Sequence, residues 1–254
     1  MITVIDSGNS RIHCASLDLL ENSKLLNPVS IPYPESFESL RDVLTGLMSD
    51  GDFGKNEKIA ACSVSSKWRE RLFETLNDMY PGKLVVARTA SDIGVKVSYD
   101  NPDTYGVDRA LASYGAYRHF GDSCVVIDAG TAVTVDAVDN DGAVIGGYIF
   151  PGKDVLACAL SAETDLPGVS DLNGDFGIGG STEQCIALGI SMGYRAAIRH
   201  LIDKAIDHAG SEERVILTGG NAGDLGNIMT FPVVLKPNIV LEALGFTADN
   251  LPEY

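Results

Sequence analysis

Val125-Val126-Ile127-Asp128-Ala129-Gly130-Thr131-Ala132-Val133-Thr134-Val135-Asp136 is the stretch on which the fold turns. An apolar β-branched run ends in an aspartate, a Gly-Thr pair follows, and a second run alternates apolar and polar residues. Asp-x-Gly-Thr between two such runs reads as a tight hairpin. The glycine permits the turn and lets another group approach the main chain. Turn N–H groups, with the Thr131 and Thr134 hydroxyls, can hold phosphate oxygens, and Asp128 at the strand end is placed to meet a cation. Taken alone, the stretch reads better as an ordinary hairpin with a turn aspartate.

The chain opens on the same device. Ile2-Thr3-Val4-Ile5-Asp6-Ser7-Gly8-Asn9-Ser10 leads into the strand-like Arg11-Ile12-His13-Cys14-Ala15-Ser16-Leu17-Asp18, so Ile5-Asp6-x-Gly8 repeats Ile127-Asp128-x-Gly130. A repeat whose unit is half the chain implies a duplicated domain and not a solenoid.

Patterning fills in the rest. Strands are expected at 2–6, 11–18 and about 25–31. A helix at 35–50 follows, with Phe37, Leu40, Val43, Leu44, Leu47 and Met48 on one face, stopped by Asp50-Gly51-Asp52-Phe53-Gly54. A strand at 58–64 precedes a helix to Met79, capped by Ser65-Ser66 and striped by Trp68, Leu72, Leu76 and Met79. A strand at 84–86 and an extended, irregular 95–102 come next. Gly106-Val107-Asp108-Arg109 then opens a helix to Phe120. The second half repeats the order: strands at 124–128, 132–138 and 144–149, a helix after Pro151-Gly152, and a Gly- and Asp-rich loop at 167–180. A long helix capped by Ser181 or Thr182 runs to His208, with Ile186, Ile190, Ala197, Leu201 and Ala205 along one face. Strands at 215–217 and 233–235 and helices after Gly219-Gly220 and Asn238 complete it. The expected class is α/β, two β-β-β-α-β-α-β halves, 1–110 and 111–254, meeting near 105–123 with an active-site cleft between them.

Composition bounds the function. A formal charge of −16 argues against nucleic acid, whose binding is driven by phosphate neutralisation. Any anion site must therefore be local, built from N–H groups, a few arginines and a bound cation. No apolar run approaches the ~20 residues of a membrane span, and no basic segment precedes the first strand, so neither membrane insertion nor a signal peptide is expected. Cys14, Cys62, Cys124, Cys158 and Cys185 form no C-x-x-C pair and read as reduced, mostly buried thiols of a cytoplasmic protein. The four histidines lack metal spacing, and His200 and His208 read as helix-surface residues. Glu163, Asp165, Asp171 and Asp175 lack the alternation of a calcium loop and read as solvated carboxylates.

Two such units, each opening on an Asp-x-Gly turn, resemble the fold shared by actin, sugar kinases and heat-shock ATPases. That resemblance implies duplicated actin-like ATPase (ribonuclease H-like) domains. The phosphates would be embraced by the turns at 6–13 and 128–134, and the adenosine touched by a Gly-Gly turn at 218–222. More narrowly, the chain is similar to the type III pantothenate kinases. The matching segments are Asp6-x-Gly8-Asn9-Ser10, Tyr99-x-Asn101-Pro102, Gly106-Val107-Asp108-Arg109, Asp128-x-Gly130-Thr131-Ala132, Gly146-Gly147-Tyr148-Ile149-x-Pro151-Gly152, Ser181-Thr182 and Thr218-Gly219-Gly220. Ser10 stands where many relatives have threonine, and Ala129 where phenylalanine or leucine is common.

The resemblance implies ATP-dependent phosphorylation of pantothenate to 4'-phosphopantothenate, the first step toward coenzyme A. It makes Asp6 the Mg²⁺-side carboxylate, acting through phosphates or water. Ser7, Gly8, Asn9, Ser10, Arg11, Ile12, His13 and Thr131 become ATP contacts, although Arg11 is equally a solvated strand residue. Asp108 becomes the general base, a position also suited to a helix N-terminal carboxylate. Tyr99, Gly106, Val107, Asp108, Arg109 and Thr182 become pantothenate contacts, Tyr99 being otherwise an interface aromatic and Thr182 a helix cap. Asp128 becomes the ligand of a monovalent cation, K⁺ or NH₄⁺. A kinase of another small hydroxylated substrate and a non-enzymatic accessory regulator are the alternatives. Family members are usually dimers. Leu111, Tyr114, Ala116, Tyr117 and Phe120, with Met192 and Tyr194 on the long helix, exceed one core stripe, so a homodimer using the Val107 helix is expected.

Overall fold

A computed structural model describes residues 1–19, 24–50, 53–172, 177–210, 214–226, 229 and 231–254. Gly51 and Asp52 of the expected helix stop, and Asp175 of the acidic loop, lie outside the described residues. Strands β1 (Ile2–Ser7), β2 (Arg11–Asp18) and β3 (Lys24–Pro32) lead to helix α1 (Leu40–Asp50), β4 (Lys58–Ser63), α2 (Arg69–Met79), β5 (Leu84–Ala87), α3 (Ala90–Ile93) and α4 (Val107–Phe120). Then follow β6 (Cys124–Ala129), β7 (Ala132–Val138), β8 (Val144–Pro151), α5 (Lys153–Glu163), α6 (Thr182–Ala209), β9 (Val215–Thr218), α7 (Ala222–Gly226), β10 (Val234–Leu235) and α8 (Ile239–Thr247).

The duplication is visible in the sheets. One has the order β3-β2-β1-β4-β5 and the other β8-β7-β6-β9-β10, each with five strands. The central strand of each pairs antiparallel with the next in sequence and parallel with the strand after the helical crossover. β1 and β6 bury every residue except the aspartate next to the end. Each is flanked on both sides, so its apolar run needs no alternation. In register, Asp6 faces His13 on β2 and Cys62 on β4. Asp128 faces Thr134 on β7 and Thr218 on β9. This is the actin-like fold expected from the sequence.

The chain divides into two compact units. The first comprises Met1–His119, Gly142–Val144 and Asn238–Tyr254; the second comprises Phe120–Asp141 and Ile145–Pro237. Against the division expected at residue 110, α4 stays with the first unit to His119, and the chain end returns to it. Helix α8 packs on β1 and β2 so closely that a methyl on Gly245 would collide with Leu17. The terminal residues run along β5, with Val86 N–H donating to the Pro252 carbonyl at 3.0 Å and Tyr254 N–H to Leu84 at 3.2 Å. That covers an otherwise open edge. In the first core, α1 and α2 set Leu44, Met48, Leu72 and Leu76 against Ile5 and Ile59. In the second, α6 sets Ile198 and Ile202 against Val125, Ile127 and Leu217.

Local chemistry moved several boundaries. Helix α1 begins at Leu40 and not at 35, because Ser36 and Ser39 bond to each other and Ser39 Oγ donates to the Ser36 carbonyl, holding a turn. Phe37 stays outside that helix, edge-on to Trp68 at 4.6 Å between centroids. The N-cap of α2 is Trp68, with no side-chain cap bond, and not Ser65 or Ser66; Ser65 instead holds the turn before the helix, its backbone carbonyl accepting from Trp68 and Arg69 N–H. Helix α3 was missed, although Thr89 and Asp92 form a capping box and Gly94 closes it at φ 81°. On α6 the buried face is Ile186, Tyr194, Ile198 and Ile202. Tyr194 is therefore core, and only Met192, 45% exposed, remains of the surplus expected there. Leu111 and Ala116 are likewise buried. Three cysteines, Cys14, Cys62 and Cys124, are buried, while Cys158 and Cys185 on helices are exposed.

Candidate active site

The first Asp-x-Gly turn is closed by Gly8 N–H donating to the Arg11 carbonyl at 3.0 Å. Asp6 Oδ1 accepts from Cys62 Sγ at 3.3 Å. Burial, and after it the Asp6 carboxylate, pushes the Cys62 thiol well above its ordinary range, so it stays protonated and donates. Asp108 contributes to the same shift. Two carboxylates from segments a hundred residues apart therefore bear on one buried thiol. Asp6 and Asp108 both belong to the first unit.

Asp108 lies in the first turn of α4, half-buried, its Oδ1 accepting from Arg109 N–H at 2.8 Å. A carboxylate is favoured there by the helix dipole. Gly106 leaves the carboxylate its place: a Cβ on Gly106 would stand 2.7 Å from Asp108 Oδ1. Arg109 is buried, and its guanidinium lies 4.4 Å over the ring of Tyr105, which meets Tyr99 edge-on at 5.3 Å. The three form one stack that holds the guanidinium plane.

In the second unit, the Asp128 turn closes through Gly130 N–H donating to the Ala132 carbonyl at 3.0 Å. Gly219, at φ 91°, lies against Asp128 Oδ1 and the Ala129 backbone, where any Cβ would collide. Gly152 donates to the Thr131 carbonyl at 2.9 Å, and a Cβ there would stand 2.6 Å from that oxygen. Three motif segments distant in sequence are thus bound into one backbone cluster. Ser181, not Thr182, is the N-cap of α6, accepting from Gln184 N–H at 3.3 Å. Thr182 is left to line an apolar groove of about 560 Å³ with Phe150, Leu156, Leu160, Ile186 and Tyr194.

A family model described as type III pantothenate kinase matches residues 2–204. The chain belongs to that family. Type III pantothenate kinases of Azotobacter vinelandii and of Dehalococcoides mccartyi strain CBDB1 are 30% and 26% identical to it. The alignments cover 96% of this chain in both cases, and 97% and 94% of those proteins. Among solved structures, a putative Baf family transcriptional activator from Campylobacter jejuni superposes with TM-score 0.60 at 18% identity, over 97% of each chain. At that identity the likeness speaks for the fold alone.

The family residues do not all stand alike. Ser7 and Ile12 are fully buried, so Ile12 has only its backbone to offer a ligand; Asn9, Ser10, Arg11 and Thr131 are exposed. Arg11 turns aside, its Nε donating to Ser30 Oγ at 2.7 Å and a terminal nitrogen to the Ser30 carbonyl at 2.8 Å. His13 is half-buried, and burial, then the Arg11 charge, lowers its pKa, so the ring is neutral at pH 7. Among the described residues, no group of three or more His, Cys, Asp or Glu side chains gathers as metal ligands. No described helix is long and apolar enough to cross a membrane. Tyr105, Tyr33 and Cys62 escaped the sequence reading. Tyr105 had a signal, an aromatic directly before Gly-x-Asp-Arg; the others had none.

Substituting Gly106 by alanine tests how closely the Asp108 carboxylate is held. The added methyl forces that carboxylate aside, and kcat is expected to fall about a hundredfold, the usual effect of an ångström-scale misplacement, with KM for ATP retained. Steady-state kinetics on the folded variant at wild-type kcat would show that the carboxylate has room to spare.

Proposed function

We propose that the protein transfers the γ-phosphoryl group of ATP to the primary hydroxyl of pantothenate. Family membership supports this, and the observation that carries it is the match of the family model to residues 2–204, a span that contains Asp6, Asp108 and Asp128. Asp108 accepts the hydroxyl proton as the oxygen–phosphorus bond forms and orients that oxygen beforehand. Arg109, held flat on Tyr105, meets an anionic group of the substrate, and Tyr99 and Thr182 complete its contacts. The phosphates are assigned to the backbone of 8–13, to the Asn9 and Ser10 side chains and to Thr131.

Magnesium fits the donors present. Asp6 offers a hard carboxylate oxygen at a strand end, and Mg²⁺ keeps waters and phosphate oxygens around one or two such carboxylates. Bound with ATP, it would neutralise charge developing on the phosphates. Asp128, whose carboxylate lies against Gly219, is assigned to the monovalent cation. The buried, reduced thiols support a cytoplasmic setting. A homodimer is the assembly we infer, because Tyr114, Tyr117 and Phe120 on α4 keep part of their surface exposed.

Three measurements test these assignments. In a coupled ADP-release assay with pantothenate, Mg²⁺ and K⁺, Asp108→Asn should lower kcat by about 10²- to 10⁴-fold, the range of general-base catalysis. Equal turnover by wild type and variant would remove Asp108 from the role. Replacing K⁺ with Na⁺ at constant ionic strength should also lower activity, because two anionic substrates meet a chain of charge −16; equal rates would reduce the effect to screening. Light scattering at micromolar concentration should give twice the 26.9 kDa chain mass. A fully active monomer would return the α4 aromatics to the core.

A further inference from the structure

Tyr33, just beyond the end of β3, reaches the first turn through its hydroxyl. Its O–H donates to the Gly8 carbonyl at 2.8 Å, and its oxygen lies 2.5 Å from Ser7 Oγ, which is 2.9 Å from Ser63 Oγ. Each hydroxyl has one proton to give. With Tyr33 donating to Gly8, Ser7 must donate to Tyr33, and Ser63 to Ser7. Ser65 N–H donates to Ser63 Oγ at 3.3 Å and so completes a chain running one way. Burial raises the Tyr33 pKa, which keeps its proton in place at pH 7.

The chain ends on a peptide that matters. A trans peptide sets its C=O and N–H in opposite directions, and there is no cis peptide among the described residues. Fixing the Gly8 carbonyl on Tyr33 therefore aims the Asn9 N–H the other way. The preceding peptide is committed at both ends: the Ser7 carbonyl accepts from Val64 N–H at 3.1 Å, and Gly8 N–H goes to Arg11. A carbonyl oxygen facing a phosphate repels it, and an N–H attracts it.

We propose that Tyr33 is a positioning residue for nucleotide. It holds the Gly8–Asn9 peptide so that the Asn9 N–H donates to an ATP phosphate, a role that rests on the nucleotide assignment above. The ring is itself fixed, stacked on Trp68 at 4.9 Å and 6° between planes. Trp68 is the single tryptophan of the chain, so its emission reports on the ring beside it.

Binding of Mg·ATP without pantothenate, by calorimetry and by Trp68 fluorescence, is the test. Tyr33→Phe keeps the stack and deletes only the hydroxyl. It should weaken Mg·ATP binding roughly three- to tenfold, the worth of one neutral hydrogen bond, with KM for pantothenate unchanged. Phe37→Leu alters the other neighbour of Trp68 but leaves every hydroxyl in place, and should keep wild-type affinity. Wild-type affinity in Tyr33→Phe overturns the proposal, as does an equal loss in both variants, which would assign the effect to the aromatic stack. Failure of the unmodified chain to bind Mg·ATP overturns the nucleotide assignment itself and the proposal with it.

Discussion

A strand covered on all sides can expose its chemistry only at its end. β1 and β6 each have hydrogen-bonded neighbours on both edges and apolar contacts on both faces, and in each only the penultimate aspartate escapes full burial. Ionised carboxylates are costly to bury. The aspartate therefore stays where the strand gives out and the turn begins, next to backbone N–H groups that have left the ladder. Placing a carboxylate beside an anion-binding turn is thus a by-product of burying the strand, and the duplicated sheet does it twice.

The next constraint is room. Gly106, Gly152 and Gly219 each stand where a single carbon would strike a carboxylate or carbonyl oxygen. Only Gly219 of these has a backbone conformation that disfavours side chains. At the other two the glycine is required by what lies beside it. Crowding of this kind restricts where the Asp108 and Asp128 carboxylates can lie, beside the bond that Asp108 Oδ1 accepts from Arg109 N–H.

The fold was legible because its signals were local and repeated. The Asp-x-Gly turns and the apolar runs before them are contiguous in sequence, and the order of strands and helices followed from periodicity. Helix starts were less legible, since α1 and α2 are begun by serine backbone and side-chain bonds that compete with propensity. On α6, Ile186 and Ala205 are buried as expected, while Ile198 and Ile202 are fully buried where Ala197 and Leu201 were expected. Of the site, Asp6, Asp108 and Asp128 were legible as motif residues. Cys62 and Tyr33 were not, because each reaches Asp6 or Gly8 through strand pairing that no single segment encodes.

The supports of the first turn are also notable for being uncharged. Cys62 is a protonated thiol, His13 a neutral ring, and Ser7, Ser63 and Tyr33 are hydroxyls. In a chain of net charge −16, buried cations beneath the turn would help an anionic ligand, yet each would need a partner once the ligand had left. Dipoles need none. Oriented hydroxyls and N–H groups satisfy one another whether or not ligand is present, and dipoles fixed in advance cost no reorganisation when charge arrives. Arg109, next to Asp108 in sequence, is a buried cation, and its place over the Tyr105 ring keeps it ordered. The acidic surface and the anion-binding turn are thereby compatible: the attraction is local, short in range and carried by groups that stay neutral.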